Sequence, residues 1–123
     1  MYLEDDWSVR EAGQEVNRFL SLLAEQGLTL EDLVINSPRR WKTREEAKRI
    51  AHLLAGDPEL MNYIREHHHL PPITSLKKYG FDKKVLSRHS NYIIGVALII
   101  ADGLSIMGQL VTPWKGGDIF GQG

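Results

Sequence analysis

Ten residues in a row, Tyr92 to Ala101, carry no charge, and they follow directly on a stretch that carries two lysines and an arginine. The whole segment reads GFDKKVLSRHSNYIIGVALIIA, Gly80 to Ala101. A membrane span needs roughly 20 apolar residues, so a run of ten is expected to be buried in protein. The rest of the chain then has to cover it. Read at helical period from Lys83 onward, the segment predicts one long helix whose apolar end is an anchor and whose charged end is left for a ligand.

The covering material is helical too, since no alternating run is long enough for a sheet. Val16, Phe19, Leu20 and Leu23 form one stripe of a helix over Val9 to Gln26, closed by Gly27. Thr29 with Asp32 three residues on resembles a capping box for a short helix to Ile35, and NSP at Asn36 to Pro38 stops it. Thr43 with Glu46 predicts another start, followed by a stripe of Ala47, Ile50, Ala51 and Leu54 and an end at Gly56. Asp57-Pro58 is a cap and first-turn pair for Glu59 to His67. His68 to Pro72 is a connection, and Ile73 to Tyr79 is a short helix before Gly80. These elements predict an all-α bundle of about six helices. The organisation is an N-terminal extension (1–8), one helical domain (9–112) with a helix-turn-helix at 73–101, and a loose glycine-rich tail (113–123).

Within the helix-turn-helix, Gly80 supplies the left-handed backbone of the turn, Phe81 plugs its underside, and Asp82 is the N-cap of the second helix. Ile73, Leu76 and Tyr79 are expected to face inward. At ~100° per residue, Lys84, Ser87, Arg88 and Asn91 share about a third of the wheel, with Leu86, His89, Ile93 and Ala97 opposite. Lysine and arginine reach guanine edges or phosphates and asparagine pairs with adenine, so the stripe suits a DNA major groove.

Charge supports a basic working surface. Residues 1–38 hold eight acids against two bases, giving −6, whereas residues 39–91 hold twelve Lys or Arg against six acids, giving +6. Lys77, Lys78, Lys83, Arg39 and Arg40 are candidate phosphate contacts. Trp41 sits among six basic residues of SPRRWKTREEAKR, a stretch suited either to clamp phosphate flanking the site or to pack Trp41 on the bundle, and packing is the expectation. The adjacent histidines of EHHHL, Glu66 to Leu70, cannot all face one ion from a regular helix, so a solvated loop is expected and no metal or cofactor. With no cysteine in 123 residues, disulfides, thiolate metal sites and cysteine nucleophiles are excluded. No phosphate loop or GxSxG occurs, and an enzyme is not expected. The acidic start MYLEDDWSVR is not a signal peptide, which makes a cytoplasmic location the expectation.

The chain resembles the C-terminal domain of the sigma-I group of bacterial RNA polymerase sigma factors. The similarity lies in QGLTLEDLVINSPRR (Gln26 to Arg40), in Arg44, Ala47, Ile50 and Ala51, in Leu70-Pro71, and in DKKVLSRHSNYIIG (Asp82 to Gly95). It runs in consistent order from about Val16 to Leu110. The resemblance implies recognition of the upstream (−35) promoter element in double-stranded DNA, partnership with RNA polymerase core, and inhibition by a cognate anti-sigma factor. It assigns the family's charges to Lys83, Lys84 and Arg88, and its core to Tyr92, Ile93 and Ile94. Ser90 and Asn91 depart from it, since the family has arginine and lysine there, so weaker DNA binding is expected. No stretch resembles the sigma domain that melts DNA, which predicts an excised domain or a free-standing relative with a partner. The alternative is a protein-interaction module, or a free-standing helix-turn-helix regulator that needs a separate sigma subunit.

Overall fold

The computed structural model describes residues 8–111, and every regular element among them is a helix. Helix α1 (Val9–Glu25) opens on a reciprocal cap, the Ser8 hydroxyl accepting from the Glu11 amide while Glu11 accepts from the Ser8 amide. It buries Phe19, Leu22 and Leu23, whereas Val16 and Leu20 of the predicted stripe lie at its exposed margin. Gly27 ends this element at φ 75°. The predicted Thr29–Asp32 box opens α2 (Leu30–Asn36).

Helix α3 (Trp41–Ala55) starts two residues before the predicted cap, so Thr43 falls inside its first turn and Arg40 occupies the cap without a side-chain bond. The earlier start corrects the expectation for Trp41. Its side chain lies about 130° round the helix from the centre of the Ala47, Ile50, Ala51 and Leu54 stripe, and it is 64% exposed. Asp57 and Pro58 start α4 (Pro58–His67) as expected. The three histidines at its end are exposed, and the rings of His67 and His69 lie 4.1 and 5.6 Å from Tyr63.

A short α5 (Ile73–Leu76) and one 3-10 turn (Lys77–Tyr79) lead to α6 (Lys83–Arg88), then α7 (Ser90–Ala101) and α8 (Ser105–Val111). The described residues thus hold eight α-helices where about six were expected. One extra helix arises because the predicted long helix is broken at His89, whose φ and ψ are −122° and 30°, and the other is α8, which the sequence pattern did not place. In α5, Leu76 is buried and Tyr79 packs on the core from the 3-10 turn, but Ile73 is 41% exposed.

The apolar run behaves as its composition requires. Tyr92 to Ile99 are eight consecutive buried residues of α7, and a helix apolar all round must be covered on all sides. Helices α1, α2, α3, α6 and α8 cover it. Gly95 lets α2 come close, because a Cβ there would overlap Leu33 Cδ2 and stand 2.9 Å from its Cγ. Two polar contacts fasten α1 to the far end of the bundle. Arg18 donates to both Asp102 carboxylate oxygens at 3.0 and 3.2 Å, which holds the Asp102 carboxyl below its usual range. Glu15 Oε1 accepts from the Ile106 and Met107 amides at 2.9 and 3.0 Å, capping α8. No helix among the described residues is long and apolar enough to cross a membrane. The predicted tail at 113–123 lies outside the described residues.

Candidate nucleic-acid interface

The turn between α5 and α6 is built as its sequence requires. Gly80 takes φ 67°, a left-handed conformation that costs glycine little. Asp82 Oδ1 accepts from the Lys84 and Val85 amides at 2.9 and 3.3 Å, satisfying donors at the start of α6. Phe81 stacks on Tyr79 with ring centroids 5.2 Å apart, and the Arg49 guanidinium lies 5.4 Å from the Phe81 centroid. The Tyr79 hydroxyl donates to Asp57 Oδ2 at 3.0 Å, and this bond foremost holds the Asp57 carboxyl below its ordinary value. The cap of α4 and the turn before α6 are therefore joined through a single carboxylate.

Helix α6 has six residues, so at 1.5 Å per residue it is about 9 Å long. Val85 and Leu86 face the core, and Lys83, Lys84, Ser87 and Arg88 are exposed. On one side, Lys84 and Arg88 line an open groove of about 600 Å3 whose other wall is Arg39 and Arg40, from the loop between α2 and α3. Among the described residues none of these four cations is ion-paired with a carboxylate. The Asp82 carboxylate also lines the groove, but it is engaged in capping α6. Four cations without carboxylate partners lining one groove favour a polyanion there.

The predicted reading stripe is divided by this geometry. Lys84 and Arg88 share the basic groove. Ser87 lies on the other flank of α6, where it lines a smaller apolar groove with Leu70, Leu76 and Ser90. Asn91 falls beyond the break, half-buried on α7. Of the candidate phosphate contacts, Arg39 and Arg40 join the groove, while Lys77, Lys78 and Lys83 are exposed around the turn outside it. Lys78 Nζ lies 5.1 Å from the Tyr79 ring centroid.

Two residues here were not legible as part of a site. His89, placed opposite the reading face, lines the basic groove, one turn on from Val85, which lines it too. Asn36, which read only as part of a helix stop, touches three groups at the break. Its Nδ2 donates to the Arg88 carbonyl at 2.8 Å, its Oδ1 accepts from the Tyr92 amide at 2.9 Å, and its own carbonyl lies 2.7 Å from His89 Nδ1. No local pattern marks this role, since the partners lie 52 to 56 residues away.

No family model matches the chain. It is similar to RNA polymerase sigma factor SigI3 of Acetivibrio thermocellus, with 32% identity over 105 residues, 85% of this chain and 42% of that protein. SigI4 of the same organism is 32% identical over 108 residues, 88% of this chain and 38% of the relative. RNA polymerase sigma factor SigI of Bacillus anthracis is 29% identical over 102 residues, 83% of this chain and 42% of the relative. The chain thus spans about two fifths of the length of the relatives it matches. With matches of one name running through most of its residues, the chain is similar over most of its length to part of the sigma-I RNA polymerase sigma factors.

Proposed function

We propose that this chain recognises duplex promoter DNA at the upstream (−35) element, as the C-terminal domain of a sigma-I-type factor that works with RNA polymerase core and is held in check by a cognate anti-sigma factor. The observation that carries the proposal is the groove in which Arg39 and Arg40 face Lys84 and Arg88. Helix α6 enters the major groove from its N-terminal turn, with Lys84 and Arg88 directed to base edges and Arg39 and Arg40 to the flanking phosphates. Lys77, Lys78 and Lys83 extend the phosphate contacts around the turn. The relatives are named as sigma factors, and the family resemblance supplies the promoter element and the two protein partners.

The test is fluorescence anisotropy with a labelled pool of random duplexes at low and moderate salt, comparing the wild-type chain with Lys84→Glu/Arg88→Glu. Salt-sensitive binding that the double change abolishes is the expected outcome. No binding at low salt by a folded wild-type chain overturns the DNA role of this domain. The exposed Val34, Ile35 and Trp41 beside the groove favour a second reading, a protein-docking module, and that outcome would move the search to a protein partner.

A further inference from the structure

The break between α6 and α7 is filled by a side chain from elsewhere in the fold. In a continuous helix the Tyr92 amide would donate to the Arg88 carbonyl four residues back. Here the Asn36 amide stands between those two groups, donating to the Arg88 carbonyl at 2.8 Å and accepting from the Tyr92 amide at 2.9 Å. The helical bonds run up to the His89 amide, which donates to the Val85 carbonyl at 3.0 Å, and resume with the Ile93 amide, which donates to the His89 carbonyl at 2.9 Å; between them the Ser90 and Asn91 amides make no bond to the Leu86 and Ser87 carbonyls. A side chain inserted into the ladder of main-chain bonds is one of the few causes of a sharp kink. The third contact, His89 Nδ1 to the Asn36 carbonyl at 2.7 Å, holds the kinked residue itself, and geometry makes the ring nitrogen the donor.

We infer that Asn36 is the positioning residue of the DNA-binding groove. It sets the angle of α6 and so holds Lys84 and Arg88 opposite Arg39 and Arg40, which follow it by three and four residues, just past the end of α2. The inference rests on the DNA-binding role proposed above. Asparagine is the side chain this place requires: one donor and one acceptor on adjacent atoms, at the reach of a single methylene. Leucine has nearly the same shape and neither group, so it unties the Arg88 carbonyl and the Tyr92 amide from α2 and releases α6 from its set angle. Aspartate keeps the acceptor and loses the donor, placing a carboxylate oxygen against the Arg88 carbonyl.

The experiment has two readouts. In isotope-labelled wild-type protein, hydrogen-bond scalar coupling from the Tyr92 amide nitrogen should reach the Asn36 side-chain carbonyl carbon; coupling to the Arg88 carbonyl carbon overturns the inference whatever the variants do. Anisotropy is then measured for Asn36→Leu with a duplex selected from the random pool and with the unselected pool. The expected result is a loss of about tenfold on the selected duplex, with a change under about twofold on the pool at low salt, because no charge has been removed. A merely structural role would lower both affinities in parallel, and that result, or no change in either, overturns the inference. Should Asn36→Leu not fold, Asn36→Ala, equally neutral, carries the same comparison between duplexes. A wild-type chain that binds neither duplex overturns the promoter role itself, and with it any role of Asn36 in DNA binding, whatever the coupling shows of the kink.

Discussion

Gly95 shows how much one atom decides in this fold. It sits in the middle of the buried helix α7, where glycine is intrinsically a poor choice by about 1 kcal/mol relative to alanine. The compensation is Leu33 of α2, which occupies the space a Cβ would take. Gly95→Ala is expected to destabilise the chain by about 1–2 kcal/mol, overpacking outweighing the gain in helix propensity. Urea unfolding measures it, and a double-mutant cycle with Leu33→Ala should give a combined loss smaller than the sum of the two single losses. At this scale the residues legible in the sequence were those whose partners are close by. Thr29 with Asp32, Asp57 before Pro58, and Asp82 after Gly80 all cap as expected, because a cap is satisfied within three residues. Trp41 was not legible, since its exposure depends on where α3 starts and which face α7 covers.

Elements were legible where their period and their ends agreed. Helix α8 went unplaced, and the segment from Lys83 to Ala101, which contains no proline, was misread as one helix. The break at His89 is where Asn36, more than fifty residues upstream, bonds to Arg88 and Tyr92, and no local pattern encodes that meeting. For the same reason the candidate site was only partly visible. Lys84 and Arg88 could be paired from one helix, but their meeting with Arg39 and Arg40 is a property of packing. Helix α8 depends on a remote side chain in a similar way, through the Glu15 carboxylate that accepts from its first amides. Glu15→Ala should cost about 1 kcal/mol, as loss of a cap does. Amide hydrogen exchange at Ile106 and Met107 should quicken, while Tyr92 to Ile99 stay as protected as the reduced global stability allows. Unchanged exchange at both positions would show that Glu15 does not cap α8 in solution.

For the molecule as a whole, two carboxylates tie distant parts together, and both are held below the ordinary value of 3.8, Asp57 chiefly by the Tyr79 hydroxyl and Asp102 chiefly by Arg18. A lowered folded-state pKa means that the charged form favours folding. The stability it adds is present above the unfolded value and is lost as pH falls through the folded one. Urea midpoints should therefore fall on going from about pH 6 to about pH 3. An Asp57→Asn/Asp102→Asn variant should start lower and fall less steeply; an equal fall would assign the acid sensitivity to other groups. The two walls of the basic groove also belong to stretches some fifty residues apart, stitched by the bonds of Asn36 to Arg88, His89 and Tyr92. A chain clipped short of α6 keeps only the Arg39–Arg40 wall. Completion of the fold thus acts as a licence: the polyanion site comes into being only once the later helices have docked.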